Sequence, residues 1–163
     1  MDLNDYLIEP EGIDWPKALD SWKWLLPKDF DLWLVTRFGD CFLEMTDGEI
    51  HLLNVGDGTL TEVAESGEEF ATKMENEDNF ADWLMAPLVD LLAEKKVKLK
   101  KGQCYGFKVL PVLGGEFEPK NIAPISIIEY LGASGEMHSQ LKDVADGAQV
   151  QIETKPKRKR KKS

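Results

Sequence analysis

The 163-residue sequence predicts a single α+β domain in which an antiparallel sheet packs with a few helices. Three observations carry that prediction. Two turn signals, Asp47-Gly48 and Gly56-Asp57-Gly58, separate short apolar stretches in the manner of an antiparallel meander. Apolar residues at helical spacing follow, first Phe70 with Met74 and then Phe80, Leu84, Leu88 and Leu91. A hydrophobic share of 42%, with five Trp and seven Phe, is enough for one aromatic-rich core, and the length suits one domain.

Taken in order, Asp14 followed by Pro16 opens a helix placed over residues 15–25. Pro27, Lys28 and Asp29 then turn the chain into a first strand over 31–37. CFLEMT and EIHLLNV form a hairpin around Asp47-Gly48. A two-residue turn there pairs Met45 with Ile50 and Leu43 with Leu52 on a core face, and Glu44 with His51 on a wetter one. With Asp57-Gly58 as the next turn, TLTEV returns as a third strand of the meander, Leu52 and Val63 sharing the core face.

Ser66 and Glu69 have the spacing of a capping box at the start of a short helix. A second helix begins near Asn79, carries Phe80, Leu84, Pro87, Leu88 and Leu91 on one face, bends at Pro87 and ends in Glu94, Lys95 and Lys96. Gly102 turns into the strand QCYGFKV, after which Pro111, Gly114, Gly115, Pro119 and Pro124 mark a loop-rich stretch. Ser126 and Glu129 give another capping box before IIEYL, but Gly132 and Gly135 predict a broken helix. AQVQIET alternates as a last strand, so the domain is placed over 1–154, and the polybasic residues 155–163 have nothing to bury and are predicted to be disordered.

Charge is divided sharply along the chain. Seven of the 20 basic residues fall in the last nine positions, so 13 stand against 30 acidic residues over 1–154, a formal −17. Such a field repels nucleic acid and favours a basic protein surface. It is concentrated between residues 62 and 82, where eight acids face Lys73 alone, and Glu65, Glu68, Glu69, Glu75 and Glu77 are the expected contacts with a basic partner. The polybasic end supports an alternative reading, a general interaction or regulatory module that touches nucleic acid through residues 155–163. No apolar run is long enough to span a membrane, and MDLNDYLIEPEG is acidic where a secretory signal is basic and then apolar, so a cytoplasmic protein without membrane contact is expected.

Little points to catalysis. Cys41 and Cys104 lie in apolar strand-like stretches without CxxC spacing and read as reduced core thiols. The one pair with nucleophile chemistry is Cys104 with His138, and no hydrolase signature surrounds either residue. The two histidines are far apart in sequence and no HxH, HExxH or calcium loop occurs. A lone Gly114-Gly115 without a following helix makes no phosphate cradle. The expectation is a binding protein with no catalytic residues, no metal and no cofactor.

Several elements together carry a resemblance. These are Arg37-Phe38-Gly39-Asp40, Asp47-Gly48, His51-Leu52-Leu53, Trp83, Leu99 with Gly102-Gln103-Cys104-Tyr105, Leu113-Gly114-Gly115, Asn121 and His138-Ser139-Gln140. The sequence over about residues 20 to 145 resembles a bacterial domain-of-unknown-function family that includes the C-terminal domain of immunity proteins against type VI secretion DNase toxins. The resemblance implies a non-enzymatic α+β domain whose partner is a cognate toxin. Against those immunity proteins, the chain is expected to depart in lacking their long N-terminal domain and in carrying the polybasic end. The motif residues Gly39, Asp40, Gly48, His51, Gly102, Tyr105, Gly114, Gly115, Asn121, His138 and Gln140 also have a purely structural reading. Glycine supplies positive φ, Asn121 binds loop backbone, and His138 with Gln140 satisfies buried carbonyls.

Overall fold

The computed structural model describes residues 3–142. A four-stranded antiparallel meander forms its centre, with β1 (Phe30–Val35), β2 (Cys41–Met45), β3 (Ile50–Asn54) and β4 (Thr59–Ala64) adjacent in chain order. A separate antiparallel pair joins β5 (Gln103–Phe107) to β6 (Ile122–Ser126). The helices are α1 (Trp15–Ala18), α2 (Gly67–Met74), α3 (Glu77–Leu84), α4 (Ala86–Glu94) and α5 (Ile127–Lys142). This is the α+β class that the sequence predicts. The strand expected at AQVQIET, the boundary at 154 and the polybasic tail lie outside the described residues.

The meander has the expected order but another register. Met45 N–H donates to Glu49 O at 2.8 Å and Gly48 N–H to Met45 O at 2.9 Å, so the loop is three residues, Thr46 to Gly48. Gly48 takes φ +91°, the left-handed position that this longer loop requires, and Asp47 Oδ1 accepts from Glu49 N–H at 3.0 Å. Glu44 therefore faces Ile50, Leu43 faces His51 and Phe42 faces Leu52, one residue away from the predicted pairs. Four residues separate Asn54 from Thr59 at the next turn, so Leu52 lies opposite Thr61 and not beside Val63.

A one-residue shift moves every side chain to the opposite face. The sequence accommodates it because the centre of the sheet is covered on both faces. Phe42 and Leu43, neighbours that point oppositely, are both 0% exposed. Phe42 meets Phe70 of α2 and Trp83 of α3 at ring separations of 4.9 and 6.1 Å. On the other face Leu32, paired with Leu43, shares a groove with Trp15, Leu19 and Leu26. Both faces thus carry core at the centre of the sheet, while Glu44 and His51, expected on the wetter face, remain partly exposed.

The helices also differ in detail. Asp14 caps α1 through Lys17 N–H at 3.2 Å with Pro16 in the first turn, as expected, but α1 ends at Ala18 and the chain tightens into a 3-10 turn over Asp20–Trp22. That turn drives Trp22 to 0% exposure, where its Nε1–H donates to Leu131 O at 2.8 Å. Ser66 caps α2 through Glu69 N–H at 3.1 Å, whereas the Glu69 carboxylate reaches back to Glu65 N–H at 2.8 Å. The predicted bend at Pro87 is a full break. Met85 adopts φ +50°, ending α3 and starting α4, and Pro87 occupies the first turn of α4. The break rotates Leu91 to the surface, while Leu88, Val89 and Leu92 are buried.

Helix α5 is continuous through Gly132 and Gly135, contrary to the predicted interruption. Gly135 is required by packing: a Cβ there would collide with Ser21 Oγ and come within 2.8 Å of the Trp22 ring. Close approach of the 3-10 turn offsets the roughly 1 kcal/mol that a helical glycine costs. β6 was concealed in the loop-rich stretch because it contains Pro124, which is tolerated in a strand that pairs only with β5.

Candidate functional site

The turn between β1 and β2 joins the two sheets. Thr36 N–H donates to Asp40 O at 2.8 Å, and Thr36 Oγ1 accepts from Phe38 N–H and Asp40 N–H, each at 3.2 Å. Gly39 turns the chain at φ +83°. Tyr105 N–H of β5 donates to Arg37 O at 2.7 Å, and the Phe38 ring packs on Tyr105 and Phe107 at 5.5 and 5.6 Å. Asp40 emerges from this turn 2% exposed, and its Oδ1 accepts from Val55 N–H at 2.8 Å at the end of β3.

Asp40 lies on the floor of a groove of about 620 Å³ between the β3–β4 turn, the break between α3 and α4, and the segment after β5. Trp83, Leu88 and Leu91 form one wall, and Phe107, Pro111 and Phe117 form the other. Leu91 is 38% and Phe117 58% exposed, so the mouth is an apolar surface open to solvent. Asp57 and Asp82, both exposed, lie on the rim. Burial, first, and the Asp57 charge raise Asp40 to about 7, against the opposing pull of Val55 N–H.

The Gly114, Gly115 and Asn121 motif shapes the groove's far wall. Asn121 Oδ1 accepts from Val109 N–H at 2.9 Å, and its Nδ2 donates to Val109 O and Glu116 O at 3.0 and 2.9 Å. Gly114 turns at φ +94°, and a Cβ on Gly115 would run into Val109 O. One side chain therefore holds a loop that has little regular structure of its own. Asn121→Ala is expected to lower stability by about 2 kcal/mol in urea unfolding, with Asn121→Asp, which keeps only the acceptor, falling between the two. Equal stability of all three proteins would contradict this role.

His138 also has the backbone role expected of it, since its Nε2–H donates to Val55 O at 2.8 Å. Its ring fills the space where a Cβ on Gly58 would stand. Gln140 is exposed and takes no part, which corrects its pairing with His138. Gly102 turns at φ +82°, and Tyr105 Oη–H donates to Val97 O at 2.7 Å.

Cys104 and His138 have separate surroundings. Cys104 is 0% exposed, packed by Gly39 and Tyr130, and burial pushes its thiol up, which opposes thiolate formation. His138 instead packs on Trp22, with ring centroids 5.5 Å apart. Cys41 is likewise a buried free thiol raised by burial. The observed register also brings together a trio that motif spacing did not reveal: Glu49, His51 and Glu62 place one donor atom each within 4.8 Å of one another. His51 Nε2 is already 3.0 Å from Glu49 Oε1, and Glu62 is exposed.

Glu65, Glu68, Glu75 and Glu77 are exposed around α2 and the start of α3. Glu69 is partly covered and already engaged by Glu65 N–H and by Lys73 Nζ at 3.4 Å. Asp82 is where this acidic stretch meets the groove.

Residues 64–138 match the family described as T6SS immunity protein Tdi1, C-terminal. The chain thus resembles the C-terminal domain of a type VI secretion immunity protein over somewhat less than half its length. No curated protein matches it. The match is narrower than the resemblance read from sequence and leaves Gly39, Asp40, Gly48, His51 and Gln140 outside it. Inside it are α2 to β6, hence the acidic helices and both walls of the groove. Asp40 and Asp57 are contributed by the meander. Sequence reasoning singled out Asp40 and Trp83 but missed the groove that unites them with Asp57, Phe107 and Phe117. No described helix is long and apolar enough to cross a membrane.

Proposed function

We propose that this chain is a non-enzymatic immunity-type protein that binds a cognate toxin in the cytoplasm and neutralises it by occlusion, the toxin being a nuclease. The observation that carries this reading is the immunity-family match over 64–138, the segment that presents the acidic helices and the groove walls. A nuclease must carry a cationic surface to hold its phosphate-backed substrate. A body with a formal −17 over 1–154 is complementary to such a surface and competes with nucleic acid for it.

Co-expression with a cognate effector, sought among the genes beside this one, tests the proposal. Cells producing the effector alone should lose viability, and cells producing both should grow. Continued killing with both proteins present at comparable levels would reject it.

The acidic helices supply a second expected result. Exposed charges act first on encounter rate, so reversing Glu68 and Glu69 to Lys should slow association with the effector severalfold at low salt and much less at high salt. Stopped-flow mixing at two ionic strengths measures this. Glu69 also accepts from Glu65 N–H, which holds its carboxyl below the usual range, so the double reversal should lose some stability as well. An unchanged low-salt rate would place docking elsewhere.

A further inference from the structure

Asp40 is a carboxylate in a position that calls for a partner. It is 2% exposed, yet one oxygen is occupied by Val55 N–H while the other takes no hydrogen bond among the described residues. It lines an otherwise largely apolar groove, and among the described residues no Lys, Arg or His lines that groove to balance it. Asp57 and Asp82 add negative charge at the mouth, and Trp83, Phe107 and Phe117 offer aromatic surface.

We propose that this groove receives an arginine side chain projecting from a protein partner, its guanidinium against Asp40 and its stem against Trp83 and Phe117. The inference rests on the toxin-binding reading and names the group that the groove would recognise. Arginine fits better than lysine. Its planar guanidinium is weakly hydrated, stacks on aromatic rings and presents paired donors to a carboxylate, whereas an ammonium is costly to dehydrate in an apolar cleft. The groove's 620 Å³ also accommodates flanking residues, so the arginine would arrive on a loop or turn.

The surroundings of Asp40 add a pH signature. Cys41, Cys104 and Tyr130 lie close enough to be influenced by it and are held neutral by burial, which leaves Asp57, among the described residues, as the other charge acting on Asp40. Asp40 holds its proton up to about pH 7, so a cation must displace that proton below neutrality and binding should strengthen as pH rises from 6 to 8.

The test titrates N-acetyl-arginine amide into the isotope-labelled full chain and follows the Trp83 indole and the Asn54 and Asp57 amide signals by NMR. N-acetyl-norleucine amide and N-acetyl-glutamine amide serve as uncharged comparisons. The arginine probe is expected to shift these groove signals with a millimolar Kd, about tenfold tighter than norleucine, and to tighten with pH. Asp40→Asn should abolish both the preference and the pH dependence. Should that variant not fold, Asp57→Asn with Asp82→Asn, both at exposed positions, should still weaken the arginine probe severalfold.

Equal binding of norleucine, or no movement of the groove signals, overturns the proposal. So would a shift of those signals without probe when the seven Lys and Arg of residues 155–162 are changed to Gln, because the chain's own end would then be the occupant. The probe experiment contains no toxin, so its failure alongside rescue in co-expression rejects the arginine site alone. Probe binding without rescue rejects the immunity reading alone.

Discussion

Trp22→Ala should lower the unfolding free energy by about 3–5 kcal/mol, the usual range for removing a fully buried large aromatic side chain. Trp22 is 0% exposed and stacks on Trp24 at 6.1 Å, with His138 at 5.5 Å. Its Nε1–H donates to Leu131 O, and Gly135 leaves α5 bare where the ring presses on it. The substitution would therefore remove packing from the 3-10 turn and α5 together. Trp22→Phe, which keeps a ring but loses the donor, should cost markedly less. Urea unfolding of the three proteins measures both steps. A loss below about 1 kcal/mol for the alanine variant would mean that α5 is not held as described.

Asp40 should make the protein less stable as pH rises through the neutral range. Its folded pKa, about 7, lies above the ordinary 3.8, so between roughly pH 4 and 7 the folded chain keeps a proton that the unfolded chain has released. Stability from this group is full below pH 4 and is lost as pH approaches and passes 7. A displacement of this size corresponds to a change on the order of 4 kcal/mol across the window. Asp40→Asn retains an oxygen acceptor for Val55 N–H and carries no charge, so its stability relative to wild type should rise steadily from pH 5 to 8. Urea midpoints at four pH values provide the comparison, and a flat difference would show that Asp40 is ionised throughout. A carboxylate that weakens the free protein at neutral pH is consistent with one retained for a cation brought by a partner.

The chemistry of individual turns and caps was readable in the sequence, whereas their geometry depended on tertiary packing. Asp47-Gly48 identified the hairpin, but the pair serves equally in a two-residue turn and at the end of a three-residue loop. Only packing on both faces of the sheet distinguishes the resulting registers. Pro87 announced a disturbance, and the left-handed Met85 before it made the disturbance a break. Gly135 looked like an interruption because the Trp22 ring that needs it lies more than a hundred positions earlier. Asp40, Asp57, Trp83, Phe107 and Phe117 come from separate segments brought together by the fold, and no local periodicity connects them.

The neutralisation account is tested most directly by titrating the purified effector, its activity assayed on nucleic acid, with the purified chain. Activity should fall in proportion to added chain and reach background near one equivalent, and the Glu68 and Glu69 reversals should reach the same endpoint more slowly at low salt. Undiminished effector activity at several equivalents of folded chain would contradict the account.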